Sequence, residues 1–261
     1  MDIELESIHS RLSFDLSMFS PWMLKDHVNL YLYKDQQSYA DGEFKPSPWS
    51  IGYSLFDGKV VLVYQQPNRK SSLEVIAHES THLYFESYWA EHGGDQPPSW
   101  VNEGLAMLEE SDSRLHPEQS PRFRSMADLP DHEIPLDRFF SISPAKDLAK
   151  AEDKPEVLVW YTQAYSIAYF LLRKHSSRQF KDFCDRLRGG APVEDALKNA
   201  YRIASLDQFE HDWKKWLREP TLHHKMGGFG GAASVMPSLD SGSNSKSQLH
   251  GLKDGFSSRM H

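Results

Sequence analysis

The sequence predicts an α+β fold: a small antiparallel or mixed sheet near the N-terminus, packed on one long helix, followed by an all-helical C-terminal part. Three observations carry this expectation. Residues 27–35 ("HVNLYLYKD") and 56–66 ("FDGKVVLVYQQ") alternate apolar with polar side chains and are rich in aromatic and β-branched types, the pattern of half-buried strands. From residue 71 the apolar period changes to that of a helix. From Val157 onward, helical patterns follow one another almost to residue 219 with only short interruptions.

Taken in order, the first 26 residues read as a lead-in. Pro46 and Pro48 break any helix in "KPSPW", and Asp57-Gly58 is a turn signal at the start of the second strand. In "SSLEVIAHESTHLYFESYWAEHGG" (71–94), Ser71 and Glu74 have capping-box spacing and Gly93-Gly94 stops the helix. Leu73, Ile76, Ala77 and Leu83 give that helix a buried face. A loop, "GGDQPPS", leads to a second helix in "WVNEGLAMLEESDS", with Ser99 near its N-cap. Prolines at 117, 121, 130, 135, 144 and 155 make 111–156 an irregular connecting segment and exclude long helices there, except near 145–152. Helices then follow in "VLVWYTQAYSIAYFLLRKH", "SRQFKDFCDRLRGG", "PVEDALKNAY" and "SLDQFEHDWKKWLRE", the last with a Ser205/Gln208 capping box. The stretch 220–261 is rich in glycine and serine and reads as a disordered tail. The expected organisation is therefore 1–26, 27–110 with the chemistry-bearing motifs, 111–156, 157–219 and 220–261.

Composition narrows the function classes. A net charge of −8 over 261 residues gives no general attraction to nucleic acid or anionic lipid. A lone cysteine, Cys184, permits neither an intrachain disulfide nor a cysteine-based zinc site. The start "MDIELESIHS" lacks a basic stretch followed by an apolar one, and no apolar run reaches membrane-spanning length, so a cytoplasmic location is expected.

The chemistry concentrates in "AHESTHLYF". His78-Glu79-Ser80-Thr81-His82 is H-E-x-x-H, and on a helix positions four apart lie on one face. Two imidazoles can then reach one cation at about 2.0–2.1 Å. Glu79, beside the first histidine, can reach the cation's open position as a general base on water. The same residues could form a plain polar face, but buried imidazoles and a buried carboxylate without partners are costly, and a metal removes that cost. A catalytic zinc needs a third protein ligand. Glu103 in "WVNEGLA" is the candidate, on a second helix that can return past the first. One Zn²⁺ on His78, His82 and Glu103 is expected.

H-E-x-x-H followed by W-V-N-E-G-L-A resembles the gluzincin zinc metallopeptidases, most nearly the peptidase-MA-like domains and more distantly the M1 aminopeptidases. The resemblance runs from about residue 27 to 218 and also takes in "YTQAYSIAYFLLRKH" and the helices that close the chain. It implies a zincin-like fold, zinc on His78, His82 and Glu103, Glu79 as catalytic base, and a peptide or protein substrate. It also places Tyr161 where the aminopeptidases bind the oxyanion. A phenol aimed at a developing oxyanion stabilises it, although aromatics at helical spacing also serve as core, and Tyr165 is a rival for the role. Glu110 lies seven residues after Glu103, almost two turns, on the same face. Zinc-bound histidines usually donate their other N–H to such a carboxylate, and the aminopeptidases carry a glutamate at the matching position.

The pattern also departs from its relatives. The G-x-M-E-N stretch by which aminopeptidases anchor a free amine does not occur between residues 50 and 75, and Met107 stands where thermolysin-like enzymes have an aspartate. In gluzincins the strand before the zinc helix, here 59–65, is an edge strand that borders the cleft. The function expected is zinc-dependent peptide hydrolysis. The alternative is a non-catalytic protein-binding module with a structural zinc, which the presence of Glu79 disfavours.

Overall fold

The computed structural model describes residues 2–47, 50–91, 96–111, 114–148, 155–219 and 222. The expected helix stop at Gly93-Gly94 lies outside these residues, as does the tail from 220 apart from Leu222.

The chain opens with α1 (Asp2–Leu16), which the sequence reading did not anticipate. Its Ile8, Leu12 and Leu16 enter the main core. The sheet follows, with strands β1 (Asn29–Tyr33), β2 (Gly52–Leu55) and β3 (Val60–Tyr64) in the order β1-β3-β2. β1 runs parallel to β3, pairing Asn29 with Val60 and Tyr33 with Tyr64. β2 runs antiparallel to β3, pairing Gly52 with Val63 and Leu55 with Val60. Gly58 and Lys59 take positive φ in the tight turn between β2 and β3, at 91° and 51°. The turn signal at 57–58 thus closes a hairpin whose first strand, β2, carries too short a pattern to be read alone.

Between β1 and β2 lies α2 (Gln36–Ala40), capped by Asp35, whose side chain accepts from Ser38 N–H. Val60 and Leu62 face this side of the sheet and pack with Tyr39. Val61 and Val63 face the other side, against Ile76 and Leu83 of α3 (Arg69–Ala90). Burial on both faces explains the unbroken apolar run of β3. It also corrects one expectation: β3 is the central strand, and the edge strand beside the zinc-motif helix is β2.

α3 starts earlier than its apparent capping box. Asn68 is the N-cap and its Oδ1 accepts from Ser71 N–H at 2.9 Å. From Thr81 to Trp89 the helix is buried almost all round, because it lies between the sheet and the helical part. α4 (Ser99–Glu109) packs on α3 and on α7 (Pro155–Arg173). Its N-cap is Pro98, and Ser99 is already inside the helix. At Gly104 a Cβ would collide with the Ala164 carbonyl and lie 2.9 Å from the Ala168 Cβ. The absence of a side chain there sets how closely α4 and α7 approach.

The segment between α4 and α7 carries two short helices, α5 (Pro121–Ser125) and α6 (Leu136–Ser141). Phe123, Met126, Leu129, Leu136 and Phe139 anchor it in the core. The buried Gln163 side chain of α7 clasps both backbone groups of Ile134, each at 2.8 Å. Helices α8 (Ser177–Arg188), α9 (Val193–Tyr201) and α10 (Leu206–Leu217) complete the helical part. Ser205 caps α10 as expected, accepting from Gln208 N–H. Cys184 is buried. Among the described residues no helix is long and apolar enough to cross a membrane.

A buried ionic network ties α1 to the ends of α4 and α7. Arg173 donates to both Asp15 oxygens, at 2.9 and 2.7 Å, and to Glu109 at 2.9 Å. Arg11 donates to the Glu109 carbonyl at 2.6 Å.

Candidate metal centre

α3 stacks His78 and His82 one turn apart with their Nε2 atoms 3.1 Å from one another. α4 brings Glu103 against them: Oε2 lies 3.7 Å from His78 Nε2, and Oε1 lies 4.0 Å from His82 Nε2. One donor atom from each of the three falls within 4.8 Å of the others. The side chains are 12%, 7% and 5% exposed for His78, His82 and Glu103. α4 is held in place at this point by Asn102, which donates to Glu86 Oε1 at 2.8 Å, one turn past His82 on α3.

The cluster has the character of a cation site. His78 Nδ1 lies 3.0 Å from Glu110 Oε1, and a carboxylate can only accept, so Nδ1 carries the hydrogen and Nε2 turns its lone pair inward. Nitrogens bound tetrahedrally at about 2.0–2.1 Å stand about 3.3 Å apart, close to the spacing here. Burial works against charge on His78, but the hydrogen bond and charge of Glu110, with Glu103 and Glu79, prevail and raise its pKa. A field that favours a proton there favours a metal cation equally. Two imidazoles and one carboxylate form a donor set suited to zinc, with room for a fourth ligand.

Glu110, the C-cap residue of α4, is itself fixed by a fork. Arg122 of α5 donates from Nε to Oε2 and from Nη2 to Oε1, each at 3.0 Å. Burial would raise Glu110, but the Arg122 guanidinium and His78 hold it down at about 2.

Glu79 is raised above the usual carboxylate range, first by burial and then by Glu103 and Glu86, against the pull of His82 and His78. It rests on the edge strand. A Cβ on Gly52 would fall 2.5 Å from Glu79 Cγ and 2.8 Å from its Oε1, so β2 can lie this close only because residue 52 is glycine. Tyr161 is buried on α7 one turn before Ala164, its ring edge-on to Trp160 at 5.0 Å and within the electrostatic reach of Arg122. Its rival Tyr165 is fully buried.

The structure thus gathers His78, His82, Glu103, Glu79 and Glu110, and sets Tyr161 on the neighbouring helix. The sequence reading passed over Gly52, Asn102 and Arg122. An isolated glycine in a strand and an asparagine beside a ligand were signals for the first two. Arg122 had none, standing in a proline-punctuated segment without periodicity.

The family model of the peptidase MA superfamily matches residues 16–219, well over half of the chain. The chain belongs to the peptidase MA superfamily. No curated protein and no solved structure matches it. As a gluzincin-like peptidase MA domain, it has the small mixed sheet and helical C-terminal part of an α+β metallopeptidase-like fold. In this peptidase MA domain the possible metal cluster is made by the two helices that follow the sheet.

Proposed function

We propose that the protein is a zinc-dependent metallopeptidase that cleaves peptide bonds with an activated water. The observation that carries this reading is the convergence of His78, His82 and Glu103 beside a carboxylate, Glu79, that is not needed as a ligand. His78, His82 and Glu103 would hold one Zn²⁺. When bound, the ion acts as a Lewis acid that polarises the scissile carbonyl and makes water a better nucleophile at neutral pH.

The chain's own groups do the rest. Glu79 takes the proton of the attacking water and passes it to the leaving amine. Gly52 keeps the backbone of β2 against that carboxylate, which limits its motion. β2, an outer strand of the sheet, offers main-chain groups to an extended peptide. Tyr161 donates to the oxyanion that develops as the carbonyl is attacked.

The test is Glu79→Gln. The variant is expected to retain one zinc per chain by metal analysis and to lose peptide hydrolysis by at least about 100-fold, the scale of a missing general base. Undiminished hydrolysis would refute the assigned base. Zinc-loaded wild type inert on a broad peptide library would leave the binding-module reading in its place.

A further inference from the structure

We propose that Arg122 is a positioning residue for the metal ligand His78, acting through Glu110. The inference deepens the zinc-site reading above and rests on it. It starts from a difficulty at the end of α4. Glu110 is a mostly buried carboxylate at the helix C-terminus, where the helix dipole disfavours negative charge. Left to itself, such a side chain swings toward water and away from His78.

Arg122 removes that freedom. Its two N–H groups meet the two carboxylate oxygens, a planar fork on a planar acceptor, and both distances are 3.0 Å. The fork fixes the plane of the carboxylate as well as its place. Oε1 is thereby aimed at His78 Nδ1 at 3.0 Å, which fixes the imidazole's rotation and keeps Nε2 turned toward Glu103. The chain Arg122–Glu110–His78 runs from α5 through α4 to α3, so the three elements register at one ligand. Arg122 is itself largely buried, with 20% of its side chain exposed, and α5 is seated by Phe123 in the core. The guanidinium is therefore presented by a packed element.

Outer partners of this kind contribute about 10- to 100-fold in metal affinity. The experiment measures zinc affinity of the full chain by chelator competition, together with the visible spectrum of the Co²⁺-substituted protein, for wild type, Arg122→Gln, Arg122→Lys, Glu110→Gln and the double variant Arg122→Gln/Glu110→Gln. Circular dichroism of the metal-free proteins checks folding. Arg122→Gln is expected to bind zinc about 10-fold or more weakly, with an altered cobalt spectrum. Arg122→Lys, which keeps the charge but not the fork, should fall between it and wild type, and it carries the test if Arg122→Gln misfolds. The double variant should bind no more weakly than Glu110→Gln alone. Wild-type zinc affinity and cobalt spectrum in the arginine variants would overturn the inference. So would losses that multiply in the double variant, since Arg122 would then act independently of Glu110. Failure of the wild-type chain to bind zinc would overturn the site reading and this inference together.

Discussion

Glu109 and Glu110 are neighbours at the end of α4, yet their surroundings push their carboxyl pKa values in opposite directions. Successive helix positions point about 100° apart. Glu110 therefore faces α3 and α5, where it has the whole Arg122 fork and His78 to itself, and its carboxyl is held at about 2. Glu109 faces α1 and α7. There burial and the nearby Asp15 carboxylate push its pKa well up, and Arg173, shared with Asp15, only partly offsets them. Both are carboxyls buried beside an arginine, so neither burial nor a cation alone decides ionisation. What decides it is whether the cation is shared. One helix end thus separates two tasks: one face supports the proposed ligand His78, and the other ties the first helix to the last turn of α7.

This division can be broken experimentally, and the largest effect belongs to the anchoring face. Arg173→Met would take from Asp15 and Glu109 the guanidinium they share, leaving Arg114 3.8 Å from Asp15, a loss of about 3 kcal/mol in urea unfolding of the metal-free protein. Zinc affinity of the molecules that remain folded should stay as in wild type. A parallel collapse of affinity would show that the two faces are not separate.

Glu110→Gln should do the reverse. Zinc affinity drops by about 10-fold, roughly 1.4 kcal/mol, while the urea midpoint of the metal-free protein moves less than for Arg173→Met. A larger stability loss than affinity loss would make Glu110 a structural residue.

The smallest effect is that of Glu109→Gln, and it reports on pH. Because the folded-state pKa of Glu109 lies above 4.5, the folded chain keeps a proton that the unfolded chain has released. That contribution is full below the ordinary carboxyl range and is lost as pH rises above about 5 toward the raised value. Wild-type stability should therefore decline more steeply with rising pH than that of Glu109→Gln, the two curves parting above about pH 5. Identical pH slopes would remove Glu109 from the account.

The sequence showed the candidate triad because its signal is local. Four-residue spacing places His78 and His82, and a second short motif supplies Glu103. Glu110 followed from helix periodicity together with the resemblance to the aminopeptidases. What stayed hidden depends on strand order and on irregular backbone. Nothing in "VVLVYQQ" distinguishes a central strand from an edge, so β2 was missed, and with it the contact of Gly52 with Glu79. Arg122 was illegible because its segment has no period from which a direction can be read. The start of α3 was misplaced because Asn68 and Ser71 are both capping residues, and only the folded chain shows which one accepts the bond.

The match to the superfamily begins at residue 16, but the packed core begins earlier. Ile8, Leu12 and the Asp15 carboxylate all precede or border that boundary, and all are buried. A chain begun at residue 16 would uncover part of α3 and take from Arg173 its Asp15 partner. Residues 8–15 therefore contribute to the core, and a boundary drawn by family likeness alone would cut through it.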